Sequence, residues 1–284
     1  MTSSQSSRGF GISSLITALR AVRRTLSLRF FRERIIRHQF LNEPLQIVIA
    51  DPTAKQWYEE QLPTASELHF LRDYALKTGA KVFNIGAHQA VIASMLARVV
   101  GRTGSVLALE PEPFSYGIAL RNKAINQLDQ LEILHAAGTD STTMIEFGLG
   151  IGSSGAISTG QDALQTILVQ AYTIDDLAAR YGVPDVLYID VEGFEQQVLS
   201  GAQHTLETAR PDCVVEVHIG VGLEKAGGSV AGILAFFSPD IYDFYIKHPD
   251  ANRRDELVPL AEVGVQNWTY HCNMIAVKKR ATAS

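Results

Sequence analysis

Two short stretches carry side chains able to move protons or hold a cation. In "YIDVEGFEQQVL" the acids Asp190, Glu192 and Glu195 lie close together, and in "VVEVH" an apolar run ends on Glu216 and His218. Carboxylates grouped with an imidazole can bind a divalent ion, or take a proton from a hydroxyl directly, because histidine titrates near neutrality. Each residue also has a structural reading. Glu195 opens a helix, where an acid complements the macrodipole. Asp190 and Glu192 flank a turn at Gly193 that needs hydrogen-bond acceptors, yet a role in the site is placed ahead of that. Glu216 and His218 alternate with Val215 and Val217, so each pair faces its own side of a strand. His218, at the strand end, is the better candidate base, set against a hydrogen-bonded structural histidine. His135, His248 and His271 lack supporting neighbours and read as structural or surface residues. Trp57 and Tyr58 read as pins for the N-terminal segment rather than as pocket walls.

A third stretch, "KVFNIGAHQAVIASMLARVVG", has the form of a strand, a glycine turn and a helix. A dinucleotide site would need G-x-G-x-x-G, so that the backbone can approach a pyrophosphate at the helix N-terminus. The turn here is Gly86-Ala87-His88-Gln89-Ala90, without the second glycine, which argues against a pyrophosphate cofactor. A ligand without phosphate, such as S-adenosylmethionine, needs a single close approach, and Gly86 supplies it. The next strand ends in Glu110, followed by Pro111. A carboxylate there can accept both hydroxyls of a ribose, although acids at strand ends also serve as surface caps.

The elements that must position these residues follow from periodicity. "KVFNI", "SVLALE", "LEILHAA", "DVLYID" and "DCVVEVH" are short apolar strands; "AVIASMLARVV", "FSYGIALRNKAINQ", "TIDDLAARYG" and "EQQVLSGAQHTLETA" are amphipathic helices between them. Such alternation predicts a parallel sheet covered on both faces. Upstream, "PLQIVIADPTAKQWYEEQLP" reads as a short strand and turn. "TASELHFLRDYALKTGA" reads as a helix with Thr64 as N-cap, Glu67 completing a capping box and Gly79 as C-cap. The Gly- and Ser-rich interval 147–160 cannot be core helix and reads as a hairpin insertion or a substrate lid, its length favouring the lid. Two further strands, "DIYDFYIK" and "TYHCNMIAVKK", close the chain across a polar loop.

At 284 residues, 46% of them hydrophobic, the chain can bury one large core with an extension. No apolar run approaches the roughly 20 residues that span a bilayer. Two cysteines, Cys213 and Cys272, sit in separate strand-like runs, which argues against a disulfide framework or zinc site and for a reducing, cytoplasmic compartment. The net charge of -5 is unevenly spread: residues 1–40 hold eight Arg and one acid, so the rest of the chain is strongly acidic. Leu15, Leu19, Val22, Leu26 and Phe30 recur at helical spacing, predicting a basic amphipathic helix over Ile12–Phe30. Packing on the body or on a second subunit leads the readings of this arm. Peripheral contact with an anionic membrane follows, and an organellar transit peptide is the third. Nucleic acid is disfavoured, because the acidic body would repel the phosphates.

The runs "FNIGAHQAVIASMLARVVGRTGSVLALEPEPFSYGIALRNKAIN", "TIDDLAARYGVPDVLYIDVEGFEQQVLSGA" and "VVEVH", in this order and spacing, resemble the FkbM family of S-adenosylmethionine-dependent methyltransferases. The resemblance covers roughly residues 60–278, within a body of 41–284 that excludes the arm 1–40. It implies an α/β fold, a seven-stranded Rossmann-like methyltransferase sheet, mostly parallel with a C-terminal antiparallel hairpin. It also implies methyl transfer to a hydroxyl, often on a sugar or a polyketide product. The family's first motif usually reads D-x-G-A-N-x-G; here Asn84 replaces the acid, His88 the Asn and Ala90 the last glycine. Asn84 keeps a hydrogen bond but loses charge attraction, and His88 can still donate to a carboxylate.

The expectation is therefore an O-methyltransferase acting on a hydroxyl of a sugar, glycolipid or polyketide-like product. Asn84, Gly86, Ala87, His88 and Glu110 would hold S-adenosylmethionine. Asp190, Glu192 and His218 would present and deprotonate the acceptor, with a divalent metal as an option that the sequence does not decide. A relative that keeps the fold as a binding or assembly module, without catalysis, is the alternative. An NAD-dependent oxidoreductase ranks third, opposed by the missing glycine and the two-strand ending.

Overall fold

The computed structural model describes residues 30–40, 43–60, 66–149, 155–157, 165–253 and 256–279. The helix expected over Ile12–Phe30 falls, except for Phe30, outside them, as does the expected cap Thr64. The fold is built on strands β3 (Lys81–Ile85), β4 (Ser105–Leu109), β5 (Leu131–Leu134), β10 (Val186–Ile189) and β11 (Asp212–Val217), joined parallel in the order β5-β4-β3-β10-β11. Strand β14 (Cys272–Lys278) runs antiparallel to β11, and β12 (Tyr242–Lys247) runs antiparallel to β14. That is the parallel sheet with a reversed C-terminal hairpin that the sequence implied.

An eighth strand, β13 (Leu257–Pro259), pairs with β12 outside the hairpin. The expected seven are thus exceeded by one three-residue edge, too short for a period-two pattern to mark within a polar loop.

Alternation along each strand divides the core into two layers. On one face Val82, Val106, Ala108, Val186, Tyr188, Val214 and Ile275 pack under α1 (Ser66–Tyr74) and α2 (Val91–Val100). On the other, Phe83, Ile85, Leu107, Leu187, Ile189, Val215 and Met274 pack under α4 (Ile174–Tyr181), α5 (Glu195–Ser200) and α6 (Gln203–Thr208). The third helix, α3 (Pro113–Ile125), begins at Glu112, whose side chain accepts from the Ser115 amide. Thr173 caps α4 as predicted, and Gly101 closes α2. Helix α1 stops at Tyr74, ahead of the Gly79 expected to cap it.

The single helix expected over 195–209 is instead two, α5 and α6, broken at Gly201-Ala202. Gly201 O accepts from the Asp175 amide, while the Asp175 carboxylate accepts from the amides of His204 and Thr205, capping the second helix from a neighbouring element.

The end of the basic segment has its own structure. β1 (Arg34–Phe40) pairs antiparallel with β2 (Glu43–Ile49), so the boundary drawn at residue 40 falls inside a hairpin. The other edge of β2 is covered by α3: the Gln46 and Val48 amides donate to the side chains of Asn126 and Asn122.

The glycine-rich interval is a hairpin as far as it is described. β7 (Met144–Leu149) pairs antiparallel with β8 (Gly155–Ile157) and with β9 (Gln165–Tyr172), while the two-residue β6 (Ala137–Gly138) joins β9. Cys213 and Cys272 are buried free thiols. No helix among the described residues is long and apolar enough to cross a membrane.

Candidate functional site

The turn after β3 is held by its neighbours on both sides. The Gly86 and Ala87 amides donate to Leu109 O at the end of β4. Gly86 has φ +81, and a Cβ there would stand 1.7 Å from Asp190 O just after β10, so only glycine fits. His88 and Ala90 are also left-handed, at φ 49 and 56, where a side chain costs of order 1–3 kcal/mol. Asn84 is buried on β3. Its Nδ2 reaches Tyr188 O at 3.4 Å, and its Oδ1 has no hydrogen-bond partner among the described residues. The buried Oε1 of Gln89 is in the same position.

Glu110 ties the turn together. One of its carboxylate oxygens accepts from the His88 amide at 2.6 Å, the other from the Glu112 amide at 2.8 Å. Burial raises its pKa to about 8, although these two amides oppose the shift. The His88 ring is capped from the N-terminal side, hydrogen-bonded through Nδ1 to the Tyr58 hydroxyl at 2.6 Å and tilted against Trp57 at 5.1 Å. Burial lowers its pKa to about 4, so the imidazole is neutral at physiological pH. Asp51, fully buried, accepts from the Thr53 and Ala54 amides and from Gln89 Nε2. Segment 51–60, which runs into a π-helix at Lys55–Glu60, is thereby fastened to the glycine turn.

The second half of the site lies at the same end of the sheet, beside Gly86. Asp190 follows β10 and Glu216 lies near the end of β11. Register sets His218, just beyond β11, beside His271, just before β14. The two imidazoles stack with centroids 4.4 Å apart, and His271 Nε2 bonds Glu216 Oε1 at 2.8 Å. His218 is buried and donates Nδ1–H to Glu195 Oε1 at 2.8 Å. Its Nε2 stands 3.4 Å from Glu192 Oε2 and 3.7 Å from Asp190 Oδ1. Glu195, fully buried at the start of α5, also accepts from the Gly193 amide at 2.7 Å. The turn bearing Glu192 is left-handed at Glu192 and Gly193, and a Cβ on Gly193 would meet Gly222 at 2.4 Å.

Burial and the mutual fields of the acids and imidazoles govern this group. Asp190 is raised well above the usual carboxylate range by burial and by Glu216 and Glu192. Glu192 is raised as well, burial outweighing the attraction of His218. Burial works against charge on His218, yet the hydrogen bond to Glu195 and the fields of Glu195 and Glu192 raise its pKa overall. Burial would raise Glu216 too, but His271 and His218 hold it below the usual range.

The structure thus brings Asp190, Glu192 and His218 together, within reach of a loop formed by Asn84, Gly86, Ala87, His88 and Glu110. Three further residues belong to the arrangement. Glu195 orients His218, His271 pairs with Glu216, and Tyr58 fixes His88. The helix-start reading of Glu195 is correct but incomplete. His271 sits 55 residues beyond Glu216 in sequence, and only the antiparallel register of β14 on β11 brings them together.

The chain matches the model of the methyltransferase FkbM domain over residues 84–238, more than half its length. It belongs to the FkbM methyltransferase family. The family match begins at Asn84, within β3, and covers β4, β10 and β11 but not β14, which carries His271 to the site. Comparison with curated proteins returns no match. Among solved structures, the FkbM methyltransferase from Methylobacillus flagellatus shares 16% identity over 78% of this chain, with a TM-score of 0.49; the alignment covers 50% of that protein, so the chain spans half its length. An S-adenosylmethionine-dependent O-methyltransferase from Thermotoga maritima aligns at 14% identity over 88% of this chain and 79% of that one, with a TM-score of 0.41. Aeropyrum pernix fibrillarin, solved with natively bound S-adenosyl-L-methionine, aligns at 12% over 88% and 86%, with a TM-score of 0.42.

Proposed function

We propose that this FkbM-family chain transfers a methyl group from S-adenosylmethionine to a hydroxyl of a small-molecule or glycan acceptor, of the sugar, glycolipid or polyketide-like class. The observation that carries the reading is the contact between two half-sites: the glycine turn and the Asp190–Glu192–His218 group meet at the carboxyl ends of adjacent parallel strands, β3 and β10. That end of an open α/β sheet is where such folds bind their ligands.

The residues of the turn fit the cofactor. Asn84 Oδ1 and Gln89 Oε1 are buried acceptors in want of donors, and a cofactor rich in amino and hydroxyl groups supplies them. Asn84, Gly86, Ala87, His88 and Glu110 would hold it, with Glu110 offering its remaining lone pairs to a ribose diol. When bound, S-adenosylmethionine supplies an electrophilic methyl on a sulfonium. The chain's own part is to orient the acceptor and to remove its proton. Asp190, Glu192 and His218 would orient the acceptor hydroxyl and take its proton, leaving its oxygen as the nucleophile for that methyl.

The test is isothermal titration of the full chain with S-adenosylmethionine, beside Asn84→Asp. Micromolar binding by the wild type supports a working cofactor loop. Absence of binding by the wild type, with affinity restored by the acid, supports instead a module that has kept the fold and lost the reaction.

A further inference from the structure

We infer that Asp190, Glu192 and His218 form a binding site for one divalent cation, on which the acceptor hydroxyl is activated. This deepens the function proposed above and rests on it for the role of the ion. The site itself rests on geometry alone.

One ligand atom from each of the three residues lies within 4.8 Å of the others, and His218 Nε2 stands 3.4 and 3.7 Å from the two carboxylate oxygens. Atoms bound to one ion at about 2.0–2.2 Å stand about 3–4 Å apart, so the side chains need little movement to close on a cation. The imidazole is oriented as a ligand. Its Nδ1–H is committed to Glu195, which is itself fixed by the Gly193 amide, and a carboxylate behind a ligating histidine is the usual support of such a nitrogen. His218 is 95% buried, yet Nε2 makes no hydrogen bond among the described residues. It is aimed between Asp190 and Glu192.

Charge points the same way. The ion pairs that Asp190, Glu192, Glu195 and Glu216 make among the described residues are all with His218 or His271, leaving four acids against two imidazoles. A second triad, Glu216, His218 and His271, shares His218. There His271 Nε2 is already bonded to Glu216 at 2.8 Å, so the first triad is the one open to take the ion.

Two oxygens and one nitrogen with the remaining positions open suit Mn²⁺, Mg²⁺ or Zn²⁺. A hydroxyl oxygen entering an open position would lose its proton to water at a lower pH than it does free in solution, because the ion stabilises the alkoxide. His218 would then act as a ligand rather than as the base.

The test is a Mn²⁺ titration of the full-length protein followed by electron paramagnetic resonance, with the S-adenosylhomocysteine-induced melting shift measured on the same samples. The expected result is one Mn²⁺ per chain. Glu192→Gln, at an exposed position that does not threaten folding, should weaken it about 10-fold or more, and Glu195→Gln about 10- to 100-fold through His218. Failure of the folded wild type to retain either Mn²⁺ or Zn²⁺ at millimolar concentration would overturn the inference, as would binding indifferent to Glu192→Gln. A melting shift with S-adenosylhomocysteine but no bound Mn²⁺ sinks the ion alone. Bound Mn²⁺ without that shift keeps the site and sinks the methyl-transfer reading.

Discussion

A Cβ on Gly86 would stand 1.7 Å from the carbonyl oxygen of Asp190. Gly86 of the glycine turn and Asp190 of the carboxylate–histidine group are therefore in close backbone contact. Gly86→Ala should cost more than about 2 kcal/mol, through its left-handed backbone and this overlap together. Urea unfolding measures it. A cost near zero would mean that the turn can draw away from β10, and that the two half-sites are not rigidly joined.

Ala90 is the opposite case. It is buried at φ 56, at the position where the family's usual motif has glycine, and helix α2 starts from it without a side-chain cap. Ala90→Gly should stabilise the chain by about 1 kcal/mol, because a left-handed alanine gives up more than the flexibility that glycine adds to the unfolded chain. A melting curve showing destabilisation would mean that the Ala90 methyl contributes packing worth more than the strain.

The parts of this fold legible in sequence are those governed by local rules. Strands β3, β4, β10 and β11 showed as apolar runs, Thr173 and Gly101 as caps, and Gly86 as the single close approach. What was hidden depends on partners distant in the chain. Arg34 and Arg37 made β1 read as part of a charged arm, whereas its pairing with β2 shapes it. The Asp175 carboxylate, 30 residues from Thr205, splits a helix that looks continuous. His271 looked unsupported because Glu216 and His218 reach it only across β14. Tyr58 was correctly read as pinning its segment, but its anchor, His88 in the glycine turn, lies 30 residues on.

Glu110 should leave a mark on stability as a function of pH. Its folded pKa is raised from 4.5 to about 8, so in between the native state keeps a proton that the unfolded chain has lost, and stability falls as pH rises. His88, lowered from 6.5 to about 4, acts in reverse and offsets this below pH 6.5. Above pH 6.5 the decline shows, reinforced by His218, whose value is raised from 6.5. The expected wild-type behaviour is a loss of stability from pH 6.5 to 8, to which Glu110 contributes at most about 1.4 kcal/mol per unit. Glu110→Gln lowers stability outright, since an amide cannot accept from both the His88 and Glu112 amides. It should also remove one proton's share of the slope. An unchanged slope in denaturant titrations across this range would show that Glu110 ionises normally.

Glu195 and His218 can be separated by what each change leaves intact. Nothing in the cofactor turn touches either side chain among the hydrogen bonds of the described residues. His218→Ala should therefore hold S-adenosylhomocysteine within about 3-fold of wild type while methyl transfer from labelled S-adenosylmethionine to hydroxyl acceptors falls about 100-fold or more. Glu195→Gln keeps the imidazole but exchanges a charge-assisted bond for a neutral one, at a cost of about 1.5–3 kcal/mol. Because that bond helps hold the His218 pKa above its ordinary value against burial, the pKa should drop in the variant. Proton resonance of the imidazole followed over pH 5 to about 9 reads the change directly. A His218 titration that ignores Glu195→Gln would mean that Glu192 and Glu216 alone set its charge, and that Glu195 serves only the Gly193 turn.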